Sequence, residues 1–226
     1  MDVQTLNMNT TLYFATNRNH KGNNRWKPET YGTKFSSDGH FNLRFGKLSV
    51  DLEDTQVSKH LKHEFGQGRS GDGEALAAYI GGQMDNAKIN AYKDETATTS
   101  KRIEFHANSS TRFFKDLKKD MEQQADVLIF IHGYNVSWKE AAASAMSLQL
   151  MLNRHRKNTD KEVIVVLFSW PSNGSMMPFA AYKSDRSDAR DSAQAVGRAI
   201  LKLKDFLAEI KPKHEDEKMR PCFNSI

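Results

Sequence analysis

The 226-residue sequence has a formal net charge of +5, from 33 Lys and Arg residues and 28 Asp and Glu residues. Hydrophobic residues make up 38% and charged residues 27%, which excludes collagen-like, purely coiled-coil and wholly disordered chains. No apolar run approaches the ~20 residues of a membrane-spanning helix, and those at 127–131 and 163–168 have the length of buried strands. The N-terminus lacks the features of a signal peptide, and the single cysteine, Cys222, suits a reducing compartment. We therefore expect a soluble, cytoplasmic protein without a membrane partner.

The basic residues are interleaved with acidic ones, as in residues 115–120 and 211–218. A nucleic-acid-binding surface would concentrate Lys and Arg on one face, with aromatic residues between them or a recognisable reading motif. The sequence has neither feature. We therefore interpret the charged segments as solvated surface and predict no nucleic-acid partner.

Residues 1–108 form the less regular, N-terminal part of a predicted single domain. Three segments have the composition or the alternation of strands: residues 11–16, 41–52 and 101–106. In the second, apolar residues alternate on either side of Gly46, which predicts a hairpin or a bulged, half-buried strand. Residues 20–40 are polar and rich in Gly and Asn, and they predict a loop. Residues 66–100 predict a polar surface excursion with a short helix at 75–80.

Residues 109–226 alternate regularly between helices and strands. We predict a helix over 109–121, a strand over 126–131, a helix to about Arg156, a strand over 162–168 and a helix from about Ser184. Ser137 and Glu140 have the spacing of a capping box at the start of the second helix. The last helix carries an apolar stripe: Ala193, Val196, Ile200, Leu203, Leu207 and Ile210. Because both strands are apolar throughout, as in strands covered on both faces, the alternation predicts an α/β fold, a three-layer αβα sandwich around a mainly parallel sheet.

Residues 132–135, His-Gly-Tyr-Asn, lie between the first apolar strand and the capped helix. In open parallel sheets, ligands and catalytic groups gather at the carboxyl ends of the strands. A glycine there lets the backbone turn sharply, so that N–H groups can point at a developing negative charge. The alternative is a turn in which glycine serves backbone conformation only, and the spacing alone leaves both interpretations open.

Residues 127–135 and 165–172, with the sequences VLIFIHGYN and VVLFSWPS, resemble the α/β-hydrolase superfamily. More narrowly, they resemble an esterase-like, uncharacterised bacterial family with H-G-[FY]-N and F-S-W-P-S motifs. Tyr182, Asp185 and Arg186 match a third element of that family. Residues 13–18 and 45–46 are also similar to its N-terminal part, so that the resemblance spans most of the chain.

This resemblance implies an oxyanion loop formed by His132, Gly133, Tyr134 and Asn135, with the backbone N–H of Tyr134 as a candidate donor. One such donor contributes roughly 2.7–4 kcal/mol to transition-state stabilisation. Residues that follow the carboxyl ends of the two strands are predicted to line a pocket at the same sheet edge: Ser169, Trp170, Met176, Met177, Tyr182 and Asp185.

The sequence does not contain the nucleophile motif of this superfamily. An α/β-hydrolase carries a serine in a G-x-S-x-G turn, followed along the chain by Asp or Glu and then by His. Three serines come nearest, and each is followed by residues unsuited to that turn: Ser70, Ser169 and Ser175. The strand that should carry the turn begins at about Cys222, so we predict the nucleophile, the acid and the catalytic histidine beyond Ile226. Residues 1–226 are therefore expected to be one domain, incomplete at its C-terminus and without catalytic residues of its own.

No cofactor and no metal are predicted. His60, His63 and Glu64 could share a helical face, but their order is not H-E-x-x-H and no third ligand stands nearby in the sequence. We interpret Cys222 as a buried structural thiol rather than a nucleophile.

Two functions remain open. The first is a serine hydrolase, a carboxylester or related acyl hydrolase, which in its complete form acts on a small ester-like substrate. The second is a non-catalytic binding or interaction module derived from the same fold. In the fold that the sequence resembles, a further strand pairs beside residues 126–131, so we expect this strand to be an open edge here. Self-association or a complementing C-terminal fragment would then cover it.

Overall fold

The computed structural model describes residues 6–62, 64–65, 69–93, 109–122, 126–154, 162–172 and 178–209. The strands are β1 (Asn7–Thr16), β2 (Arg18–Lys21), β3 (Thr30–Phe35), β4 (Arg44–Glu53), β5 (Glu64–Phe65), β6 (Arg69–Ser70), β7 (Lys88–Ala91), β8 (Asp126–Ile131) and β9 (Val163–Ser169). The helices are α1 (Asp54–Lys62), α2 (Gly73–Gln83), α3 (Ser109–Met121), α4 (Trp138–Asn153) and α5 (Pro178–Glu209). Together these elements form an α/β fold, as the alternation in the sequence predicts. None of the helices in the described ranges combines the length and the hydropathy that a bilayer span requires.

Five strands pair into one mixed sheet in the order β7-β4-β1-β9-β8. β9 runs parallel to both β1 and β8, and the predicted parallel pairing of the two apolar strands is present, with Ile129 opposite Val166. β4 runs antiparallel to β1 and to β7. Parallel pairing therefore covers the half of the sheet that carries residues 132–135, and antiparallel pairing covers the other half.

Buried side chains form one cluster on each face of the sheet. On one face, Leu12, Val165 and Leu167 pack with residues of α1, α2 and α4. On the other face, Val166 and Phe168 pack with residues of α3 and α5. Because successive strand residues point to opposite faces and both faces are covered here, β9 is apolar from Val163 to Phe168.

From Arg44 onward, the alternating segment around Gly46 is one continuous strand, β4, whose register with β1 is unbroken, so neither the predicted hairpin nor the alternative bulge is present. Phe45 packs on the α3 and α5 face, whereas Leu48 packs on the opposite face. The apolar positions therefore switch from odd to even numbers, because both faces are buried at Phe45, whereas only the face of Leu48 stays buried toward Glu53. Gly46 lies where a Cβ atom would stand 2.3 Å from the ring of Phe14, so the glycine is required by the close approach of that ring.

Two further predictions in the N-terminal part are corrected. The predicted loop at 20–40 contains the end of β2 and the whole of β3, and these two strands pair with each other. The predicted short helix at 75–80 is the longer α2, and it packs on α4 with Leu76 and Ile80 fully buried, so it is no surface excursion. The predicted strand at 101–106 lies outside the described residues.

Helix α5 begins at Pro178, before the predicted start at Ser184. Its apolar stripe differs from the predicted one, because Ala193 and Ile200 are exposed and Ala195 is buried instead. Val196 and Leu203 pack against the sheet as predicted. Nothing is described for the side chain of Leu207, and Ile210 lies outside the described residues.

Strand β8 is the edge of the described sheet, where β9 is its one strand neighbour. The prediction that residues 126–131 are covered on both faces is wrong for this strand, since Leu128, Ile129 and Ile131 are 40%, 39% and 50% exposed. Phe130 packs on the α4 face and Val127 on the α5 face, so by alternation along the strand Leu128 lies on the α4 face and Ile129 and Ile131 lie on the α5 face. Residues 127–131 of this edge are apolar and uncharged, and such an edge offers unpaired backbone groups to another strand.

We expect the 226-residue chain to form concentration-dependent larger species, and the substitution Ile131→Lys to reduce them, because a charge at the edge opposes strand pairing. Sedimentation velocity at several concentrations measures the effect. Leu6→Lys is the matched control, since Leu6 is 73% exposed but precedes β1 rather than lying in the edge strand. A wild-type chain that stays monomeric, or equal effects of the two substitutions, would contradict the prediction.

Candidate functional site

The segment of residues 132–136, called the β8–α4 loop from here on, joins the carboxyl end of β8 to the N-cap of α4. Its far end is fixed by the predicted capping box. Ser137 Oγ accepts the Glu140 N–H at 3.3 Å, and the Glu140 carboxylate accepts the Ser137 N–H at 2.7 Å. The Ser137 N–H also holds the pKa of Glu140 below its ordinary value.

Arg18 lies beneath this loop with no exposed surface. It follows the carboxyl end of β1, and its guanidinium extends under the carboxyl ends of the neighbouring parallel strands. Nε donates to Ser169 Oγ at 2.8 Å, and Nη2 donates to the Val136 carbonyl at 2.8 Å. Nη1 donates to the carbonyls of Gly32 at 3.0 Å and Ser172 at 3.2 Å. Burial lowers the pKa of Arg18 to about 10, and a nearby carboxylate opposes this, so Arg18 stays cationic at neutral pH.

His132 is also buried, and its two ring nitrogens have different partners. Nδ1 lies 2.8 Å from the Gly133 carbonyl oxygen, whereas Nε2 lies 3.1 Å from Ser169 Oγ and 3.4 Å from Arg18 Nη2. A carbonyl oxygen only accepts, so the geometry assigns the ring proton to Nδ1. Burial lowers the pKa of His132 to about 4, and the charge of Arg18 lowers it further while the bond to Gly133 raises it. The ring is therefore neutral at pH 7, and it stacks on Trp170 with 5.2 Å between the ring centroids.

Asp185 of α5 holds the loop from the opposite side. This fully buried carboxylate accepts the Asn135 N–H at 2.7 Å and the Ser172 hydroxyl at 2.6 Å. Ser172 Oγ in turn accepts the Val136 N–H at 3.0 Å. The loop is thus held between a buried cation and a buried carboxylate. The Asn135 N–H bonds Asp185 directly, the Val136 N–H bonds it through Ser172, and the Val136 carbonyl accepts from Arg18.

The first half of the loop faces outward. Tyr134 is 61% exposed, and no described atom lies within 4 Å of where a Cβ atom of Gly133 would stand. The left-handed residue of the loop is Asn135, with φ of 57°, and not the glycine. The N–H groups of Asn135 and Val136 are bonded inside the protein, to Asp185 and to Ser172, whereas residues 133–134 are exposed.

The structure brings together four of the residues singled out in the sequence: His132, Ser169, Trp170 and Asp185. All four are buried, and Trp170 donates its indole N–H to the His132 carbonyl at 3.0 Å. Met176 and Met177 lie outside the described residues, and only the backbone of Tyr182 is described. The pocket lining therefore stays a prediction.

Sequence reasoning missed Arg18 and Ser172 as parts of this site. Arg18 closes the segment 13–18 and Ser172 closes the motif F-S-W-P-S, both of which resemble the hydrolase family. Nothing in the sequence signals that a single Arg after a strand is buried. Both residues follow the carboxyl ends of strands that pair in parallel, and this position is the feature by which they could have been predicted.

The hydrogen bond between Ser169 and His132 has the geometry of a nucleophile with its base, but Ser169 is fully buried and its Oγ accepts from Arg18. We therefore interpret this pair as part of the frame of the loop. Within the described part of the chain, no three His, Cys, Asp or Glu residues are placed to hold a metal ion. His63 and Cys222 lie outside that part.

The pKa of His132 makes stability depend on pH. Its pKa is about 4 in the folded state and about 6.5 in an unfolded chain, so the unfolded state takes up the proton first as the pH falls. We expect the free energy of unfolding to decrease by roughly 3 kcal/mol between pH 6.5 and pH 4, and His132→Asn to flatten this slope. Urea unfolding at several pH values measures it. His20→Gln, a change in β2, is the control and should retain the slope; equal slopes for wild type and His132→Asn would contradict the assignment.

Comparisons with known proteins agree with this fold. Residues 106–213 match a family described as "Alpha/beta hydrolase of unknown function (DUF900)", and this range includes the β8–α4 loop and Asp185. A protein of Nostoc sp. strain PCC 7120, named uncharacterized protein alr1448, is 30% identical over 122 residues, which are 46% of this chain and 30% of that protein. The chain thus spans less than a third of the length of this relative. No solved structure matches. The family match and the mixed sheet together support an α/β-hydrolase type of fold.

Proposed function

We propose that this chain carries the oxyanion loop of an acyl hydrolase, a carboxylester hydrolase or a related enzyme, whose complete form attacks its substrate through an acyl-serine. The observation that carries the proposal is the β8–α4 loop, clamped at residues 135–136 and open to solvent at residues 133–134. It lies at the carboxyl end of a parallel strand, where folds of this type bind ligands and hold catalytic groups.

Oxyanion stabilisation requires N–H groups that already point at the place where negative charge develops. Attack of a serine on an acyl carbon gives a tetrahedral intermediate, and fixed donors stabilise its oxygen without reorganising during the reaction. Arg18 and Asp185 fix the loop at residues 135–136, where the backbone cannot rotate without breaking buried hydrogen bonds, and this fixed end supports the N–H groups of residues 133–134. The complete enzyme would add the nucleophile, the acid and the histidine.

The proposal includes an esterase-like activity on small ester substrates, a cytoplasmic location, a three-layer arrangement with a mainly parallel sheet, and catalytic residues beyond Ile226. The family match and the loop geometry support the hydrolase fold on which the proposed activity and the position of the catalytic residues rest.

A second candidate is a non-catalytic binding module, and the exposed edge strand β8 favours it. Three apolar side chains of β8 are exposed there on both faces of the sheet. A strand of another chain could pair along this edge through backbone hydrogen bonds, with the exposed side chains as added contacts.

The oxyanion loop is tested by titrating the ¹⁵N-labelled chain with methylphosphonate, a tetrahedral anion. We expect the largest amide shift changes at Gly133 and Tyr134, and smaller ones at Asn135 and Val136, whose N–H groups are bonded within the protein. The neutral dimethyl ester of methylphosphonate is the matched control and should cause no such changes. Shift changes confined to surface Lys and Arg residues would contradict the assignment.

The chain alone should hydrolyse p-nitrophenyl acetate no faster than buffer, because an oxyanion donor without a positioned nucleophile gives little turnover. Clear turnover that disappears on Ser169→Ala would contradict this expectation. That result would make Ser169 and His132 a nucleophile and base that open during catalysis.

A further inference from the structure

Arg18 lies outside residues 106–213, the range of the family match, and its guanidinium contacts two residues of the β8–α4 loop, His132 and Val136. We propose that Arg18 is a positioning residue that acts through His132 to orient the peptide between Gly133 and Tyr134. The geometry stands on its own, and only its use in binding an oxyanion rests on the proposed function.

The guanidinium uses its full donor capacity. Arg has five N–H donors in a rigid, planar fork, and five acceptors surround this one: Ser169 Oγ, His132 Nε2 and the carbonyls of Gly32, Val136 and Ser172. None of these five acceptors carries a charge. A lysine at this place has three donors on one atom and cannot reach all of these partners.

The Arg18 guanidinium determines which nitrogen of His132 carries the proton. Arg18 has no acceptor to offer, so Nε2 beside it has to accept. The proton then resides on Nδ1, which is 2.8 Å from the Gly133 carbonyl. In the other tautomer, an N–H group would face the cation and a lone pair would face the carbonyl oxygen. Arg18 excludes that arrangement by charge and by hydrogen bonding at once.

The bond from His132 then orients the next peptide. The Gly133 carbonyl and the Tyr134 N–H belong to one planar, trans peptide, in which the two groups point in opposite directions. A carbonyl held toward the buried ring directs the Tyr134 N–H away from it, toward the exposed side of the loop. The chain of contacts therefore runs from Arg18 to Nε2, from Nδ1 to the Gly133 carbonyl, and through that peptide to the Tyr134 N–H.

The tautomer of His132 is the direct readout, and long-range ¹H–¹⁵N spectra of the full chain measure it. We expect the Nδ1–H form in the wild type and a mixture of forms in Arg18→Lys, which keeps the charge but loses the fork. We also expect the Tyr134 amide to shift and methylphosphonate to bind about fivefold more weakly to Arg18→Lys, the effect of one hydrogen bond. A structural role alone would not change the tautomer of a chain that remains folded.

Ser169→Ala is the matched control, because it removes the other partner of Nε2 and leaves the direct contact with Arg18 in place. We expect it to keep the Nδ1–H form. An Nε2–H form in the wild type would overturn the proposal without any variant, even if Arg18→Lys does not fold. A tautomer that follows Ser169→Ala and not Arg18→Lys would overturn it as well. Failure of methylphosphonate to bind the wild type would contradict the proposed function and leave the tautomer test intact.

Discussion

The burial of one cation constrains the rest of this site. A guanidinium removed from water has a high desolvation cost unless every donor finds an acceptor and an opposite charge lies nearby. Arg18 has five acceptors, and the carboxylate of Asp185 raises its pKa against the effect of burial. The acceptors belong to separate parts of the chain, so the requirement to satisfy Arg18 brings these parts to one place. The shape of the β8–α4 loop follows from this requirement more than from its glycine.

The segment before Arg18 adds contacts of the same kind. Thr16 Oγ donates to the Ser169 carbonyl at 2.6 Å, and the Asn17 side-chain amide donates to Ser192 of α5 at 3.0 Å. Three consecutive polar residues at the end of β1 thus bind β9, α5 and the loop. Their burial at the carboxyl ends of parallel strands leaves the adjoining loop rigid on one side and open on the other.

Much of the fold could be predicted where a local pattern agrees with the tertiary structure. The apolar runs of β8 and β9 and the capping box at Ser137 are set by neighbouring residues, and the structure contains all three. The buried surface of α2 depends instead on which elements pack beside it, and composition does not reveal this. The open edge of β8 is expected only through the fold that the sequence resembles. The candidate site shows the same division. Residues 132–135 follow from their place after an apolar strand, whereas Arg18 becomes recognisable only when β1 is seen beside β9.

The pairing of β1 with β9 limits where the chain can be cut into fragments that still fold. The family match begins at residue 106, but β9 has β1 as a parallel neighbour from Tyr13 to Thr16. A fragment cut at the boundary of the match would lose that neighbour together with Arg18, and His132 and the Val136 carbonyl would lose the cation that orients them. The boundary of the recognisable family segment is therefore not a boundary of autonomous folding. Swapping this segment between relatives requires that the end of β1 be exchanged with it.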